Sequence, residues 1–171
     1  MAIEKQPLGY KGQDYDASDF KMNGRILELK ESTIQYKEVS VTSAEVKGLA
    51  AAQHELVAAP GAGKCLEFVS ALFKLDYGGT NAFTETDDDL VIKYTDASGA
   101  AASAVVENTG FIDQTADTYY LAQPAAAAAI AATGIENQAL VLDNDGNGEI
   151  AGNAAGDNLL IVGIAYRVHT L

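Results

Sequence analysis

The stretch Leu159-Leu160-Ile161-Val162-Gly163-Ile164-Ala165-Tyr166-Arg167-Val168 is the longest and most apolar run of the chain. It begins as an unbroken aliphatic run and then alternates, which reads as a central, buried β-strand. Seven further runs of β-like texture precede it: Val39–Val41, Glu55–Val57, Leu66–Leu75, Leu90–Tyr94, Ser103–Glu107, Thr118–Ala122 and Ala139–Leu142. Between them lie Pro60-Gly61-Ala62-Gly63, Tyr77-Gly78-Gly79-Thr80, Asp96-Ala97-Ser98-Gly99 and Asp145-Gly146-Asn147-Gly148. These are residues that tolerate positive φ or pre-set a turn. Eight strands punctuated in this way predict an all-β protein, an antiparallel β-sandwich of jelly-roll type.

Two segments have helical character. Ser43-Ala44-Glu45-Val46-Lys47-Gly48 predicts one turn, capped at Ser43 and ended at Gly48. The Ala-rich stretch Pro124 to Ala132 favours helix by propensity, yet Ile130 is its one large apolar residue, so a turn or short helix is expected. Residues 1–35 show little sustained period apart from Ile26-Leu27 and Leu29, and read as an extended N-terminal arm. The sandwich is expected over residues 36–171.

A length of 171 residues suits one domain with a complete core. Ala supplies much of the 48% hydrophobic content and Trp is absent, so Val, Ile, Leu, Tyr and Phe must build that core. The formal charge of −13 opposes binding to nucleic acid, whose phosphate backbone is held by Lys and Arg. The charge is unevenly placed. Residues 1–35 carry five basic and six acidic side chains, which leaves six basic against eighteen acidic, a net of −12, in the rest. The lone Cys65 permits no intrachain disulfide and, within Cys65-Leu66-Glu67-Phe68-Val69, reads as a small buried hydrophobe. With no apolar stretch of roughly 18 residues and no signal-peptide core, no membrane partner is expected, and synthesis in the host cytoplasm is.

Several motifs invite chemistry and fall short of it. Pro60-Gly61-Ala62-Gly63-Lys64-Cys65 resembles a phosphate-binding loop, but Ala58 takes the place of its first glycine and Cys65 that of its hydroxyl. It is expected to be a hairpin turn. Asp143, Asp145 and Asn147 match the first oxygen ligands of a calcium loop, with Gly148 and Ile150 also in place. Ala154 stands where the bidentate Glu belongs, so a Gly-Asn-Asp turn accounts for the same letters. Thr86-Asp87-Asp88-Asp89 concentrates carboxylates and reads as a solvated loop. His54 and His169 have no second ligand or nucleophile at a recognisable spacing. No catalytic, cofactor-binding or metal-binding residue is therefore assigned, and no enzyme is expected. Of the adjacent Tyr119 and Tyr120, one should face the core and the other solvent, because strand neighbours point to opposite faces.

From about residue 40 the chain resembles small structural proteins of tailed bacteriophages and prophages, of the capsid decoration or cement type. The likeness is carried by Leu56-Val57-Ala58-Ala59-Pro60-Gly61-Ala62-Gly63-Lys64 with the strand Leu66 to Leu75, and by Leu75-Asp76-Tyr77-Gly78-Gly79-Thr80. It continues through Lys93 to Ala101, Glu149 to Asn158 and Ala165-Tyr166-Arg167-Val168. The resemblance implies a virion setting, the major capsid protein as partner, and a homo-oligomer, a trimer. Residues 1–35 lie outside it and would serve as an anchor along the capsid. The alternative is a receptor- or carbohydrate-binding module of a head or tail fibre.

Overall fold

A computed structural model describes residues 33–84, 88–126, 129–146 and 148–171. The strands in chain order are β1 (Gln35–Thr42), β2 (His54–Val57), β3 (Lys64–Asp76), β4 (Phe83–Thr84), β5 (Leu90–Tyr94), β6 (Thr118–Ala122), β7 (Leu140–Asn144), β8 (Ala151–Gly152) and β9 (Leu159–Thr170). One short helix, α1 (Ser43–Lys47), follows β1. A four-stranded sheet has the order β1-β9-β3-β6, a three-stranded sheet the order β2-β7-β5, and β4 pairs with β8 alone. All pairings are antiparallel.

The pairing is nested. With the two-residue pair β4 and β8 set aside, the first strand pairs with the last, β2 with β7, and β3 with β6. The innermost partners are β5 and the segment after it, joined by bridges Leu90↔Val106 and Lys93↔Ala101. Such nesting is what one long hairpin gives when it is rolled into two facing sheets, the jelly-roll connectivity that the strand count predicted.

Alternation then builds the core. Val41 of β1, Phe73 and Leu75 of β3, and Leu160, Val162 and Ile164 of β9 are buried and meet Leu90 and Ile92 of β5 and Leu140 and Leu142 of β7. Phe111, from the loop before β6, inserts between the layers with its ring edge-on to Phe73 at 6.4 Å and tilted against Tyr120 at 5.7 Å. The Tyr94 hydroxyl, carried inside, donates to the Leu66 carbonyl at 2.8 Å.

Four expectations change in detail. Ser103–Glu107 forms isolated bridges rather than a ladder, because Ala102 and Ser103 both donate to the Ile92 carbonyl while the Ser103 hydroxyl accepts from the Ile92 amide. Pro60–Gly63 is not a hairpin turn: β2 and β3 lie in different sheets, so this segment is the corner between them. Gly61 and Gly63 adopt φ of 100° and 72° to make it. The helix is capped by Thr42, one residue before Ser43, in a capping box with Glu45, and Gly48 ends it as expected. Glu45 reaches back to the Thr42 amide at 2.8 Å, which outcompetes a cap at Ser43. In the Ala-rich stretch, Pro124 bridges Ser103 and a single 3-10 turn forms at Ala132–Gly134, while Ala127 and Ala128 lie outside the described residues. The arm lies outside them as well, up to residue 32, and β1 takes in its last expected residue, Gln35.

Candidate interaction surface

The outer face of the four-stranded sheet is built by the same alternation that fills the core. Along β9, Leu160, Val162 and Ile164 point inward, so Ile161, Gly163 and Ala165 point outward. Opposite them, Tyr36 of β1 pairs with Ala165, and Leu72 of β3 pairs with both Gly163 and Leu121 of β6. A bulge at Val69 switches the parity of β3, so that Phe68 and Phe73 both face the core although an odd number of steps separates them. The result is an apolar band across all four strands. Tyr36 is 65% exposed, Leu72 46%, Tyr119 60% and Leu121 58%.

Gly163 is required under this band. A β-carbon there would stand 2.3 Å from the Tyr36 hydroxyl oxygen, so the tyrosine lies flat over the glycine backbone. Tyr119 exposed and Tyr120 packed on the core match the expectation for adjacent strand residues.

Charged groups close the band at both ends. Beside Tyr119, Lys74 Nζ lies 2.7 Å from Asp76 and 3.1 Å from Asp117, and these two carboxylates hold its ammonium well above the ordinary lysine range. At the other end Glu67 lies 2.7 Å from His169 Nε2 and 3.0 Å from Arg167 Nη1. The hydrogen bond with His169 does most to hold the Glu67 carboxyl below its ordinary value; burial opposes it, and the hydrogen bond and charge of Arg167 add to the lowering. His169 is thus a member of a surface ion cluster, and His54 sits 3.4 Å from Glu45 at the foot of α1.

The other singled-out residues are placed in the framework. The Gly61 amide donates to Asn137 Oδ1 at 2.9 Å and the Gly63 amide to Glu136 Oε1 at 3.0 Å, so the donors that would cradle a phosphate are taken up by a side-chain amide and a carboxylate. Cys65 is buried, and burial pushes its thiol up, with Glu67 adding to the rise. A cleft of about 690 Å³ is lined largely by apolar groups, among them Phe68, Ala102, Pro124 and Ile130. Of its polar members, Tyr94 is already committed to Leu66.

The two acidic motifs, separate in sequence, meet in space. The Asp145 amide donates to the Asp89 carbonyl at 2.8 Å and the Asp89 amide to Asp145 Oδ1 at 2.9 Å. Asp143, the first oxygen ligand of the calcium-like motif, is instead a buried strand residue bound to Lys93 Nζ at 2.8 Å. Thr86, Asp87 and Asn147 lie outside the described residues. Among the described residues no three His, Cys, Asp or Glu side chains form a group that could hold a metal ion, and no helix is long and apolar enough to cross a membrane.

Burial raises the Asp89 carboxyl above its ordinary value, with Glu107 and Asp145 adding to the rise and the Asn108 amide opposing it. A carboxyl raised in the folded state binds its proton more tightly there than in the unfolded chain. Its ionisation therefore costs stability as pH rises through the raised value and costs nothing well below 3.8. Asp89→Asn keeps an acceptor for Asn108 and is expected to raise the melting temperature at neutral pH, with the gain fading as the solution is acidified. Melts over a pH series check this; a gain independent of pH would contradict the assignment.

The small residues at alternate positions of β9, Gly163 and Ala165, are the signal of this outer face in the sequence. Comparison of the chain with protein-family models, curated proteins and solved structures finds no match.

Proposed function

We propose that this protein is a structural virion subunit, a decoration or cement protein that binds the outer surface of a phage head and stabilises it. The observation that carries this reading is where the resembling segments fall. Leu56–Lys64 covers the end of β2 and the corner between the sheets, Leu66–Leu75 lies in β3, Lys93–Ala101 is the end of β5 with its turn, and Ala165–Val168 lies in β9. All are parts of the scaffold, so what the likeness transmits is a framework and a setting rather than a reaction. In this reading the partner is the major capsid protein, the subunit acts as a trimer on the capsid surface, and residues 1–35 help to anchor it. The strong negative charge of the body keeps it soluble and its outer side facing solvent.

The test is addition of the full chain to preformed, expanded heads of a phage that encodes it. Co-sedimentation that saturates at a fixed ratio to the major capsid protein, with raised resistance of the heads to heat or chelator, is the expected result. Failure of saturating protein to co-sediment would overturn the proposal.

One observation favours a second reading, a receptor- or carbohydrate-binding module. Tyr36 and Tyr119 are exposed on one face, and aromatic rings stack on sugars. Binding of the isolated protein to host-surface glycans, lost in Tyr119→Ala, would favour that reading.

A further inference from the structure

We infer that the apolar band on the outer face of the four-stranded sheet is the seat of the chain's own segment Ile26–Leu29. This inference is independent of the virion role. It begins with the uneven distribution of exposed apolar groups. Tyr36, Leu72, Tyr119 and Leu121 share this one face, and Ile34, 54% exposed, directly precedes its edge strand β1. Tyr36 over Gly163, with Leu72 and Leu121 beside it, makes a shallow apolar surface, bounded by the Lys74 and Glu67 ion clusters, against which aliphatic side chains can pack.

Where the chain enters the sheet selects the occupant. Thirty-two residues precede Thr33, and the described chain begins at the β1 edge of this same sheet. Leu29 lies four residues before Thr33, and an extended chain covers about 3.5 Å per residue, or about 14 Å over that distance. Strands about 4.8 Å apart place β6 roughly 14 Å from β1, so the segment can cross the whole band without leaving its own subunit. Ile26, Leu27 and Leu29 are the one place in the first 32 residues where three large aliphatic side chains fall within four positions. Arg25 and Lys30 flank them, and Glu38 stands on the outer side of β1 beside the band.

Two further arguments favour the same chain over a neighbour. A tethered segment faces an effective concentration on the order of millimolar, which no free copy matches in dilute solution. Delivery by a neighbour would also bring together two bodies of charge −12. Residues 1–24 remain available to a partner when 26–29 is seated.

The test uses the full chain with Leu29→Cys and Leu72→Cys in a Cys65→Ala background, oxidised at low protein concentration. A disulfide within the monomer is the expected product, while Leu29→Cys paired with Val105→Cys, an exposed site outside the band, stays reduced. A disulfide between chains, no disulfide, or equal reaction with Val105→Cys would each overturn the inference. As a second readout, full-length Leu27→Asp/Leu29→Asp should show faster tyrosine nitration at Tyr36 and Tyr119, with Tyr94 unchanged. Unchanged rates at Tyr36 and Tyr119 would overturn it too. Because neither measurement involves a capsid, either can fail while the virion proposal stands.

Discussion

Phe73→Ala is expected to destabilise the protein by about 3–5 kcal/mol, the usual cost of emptying a buried phenylalanine site. For a chain of this size that corresponds to a fall in Tm of about 10 °C. Phe73 is fully buried in the C-terminal half of β3, between Tyr120 on β6 and Val162 on β9, and its ring supports Phe111 edge-on. Both neighbouring strands are held by ladders, so the cavity has little freedom to collapse, and Phe111 loses the partner that positions it against Tyr120. Thermal and urea denaturation followed by circular dichroism would measure the loss. A cost below about 1.5 kcal/mol would contradict the placement of Phe73 in the shared core of the two sheets.

Lys93→Met is expected to cost a similar amount, about 3–5 kcal/mol, for a different reason. Its ammonium binds Asp143 at 2.8 Å and also donates to the Ala97 carbonyl at 2.9 Å. The Asp143 side chain is only 2% exposed, so removing Lys93 leaves a carboxylate in the sheet without a counter-charge. The double variant Lys93→Met/Asp143→Leu should recover most of the loss, because an apolar pair in place of a buried ion pair is often neutral or stabilising. Denaturation of the wild type, both single variants and the double variant gives the coupling energy directly. Equal losses in the single and double variants would show that packing, not the stranded charge, sets the cost.

Much of this fold can be read from the chain because its strands are marked twice, by composition and by the turns between them. Leu159–Val168 reads as central because it is apolar at nearly every position, and β9 does run between β1 and β3. The Ser103 segment is harder. Its residues have the composition of a strand, but the shared acceptor at Ile92 breaks the ladder, and Pro124 has no amide with which to continue the bridge to Ser103. The corner at Gly61 has the glycines of a hairpin. Whether the following strand pairs with the preceding one depends on partners about a hundred residues away in β9, which no local signal carries.

The candidate surface was less legible than the core. Alternation assigns Tyr36, Leu72 and Leu121 to outward positions one strand at a time, but their meeting depends on strand order and register. The acidic motifs show the same limit. Asp89 and Asp145 are 56 positions apart and exchange two hydrogen bonds, while Asp143, next to Asp145 in the apparent ligand series, turns to Lys93.

Cryo-electron microscopy of the native virion, with this chain fitted to density, tests the proposed role most directly. The expected result is the sandwich seated on the outer capsid lattice, with residues 1–24 following the capsid subunits. Density for the chain only at a fibre or tail tip would contradict decoration and point to receptor recognition.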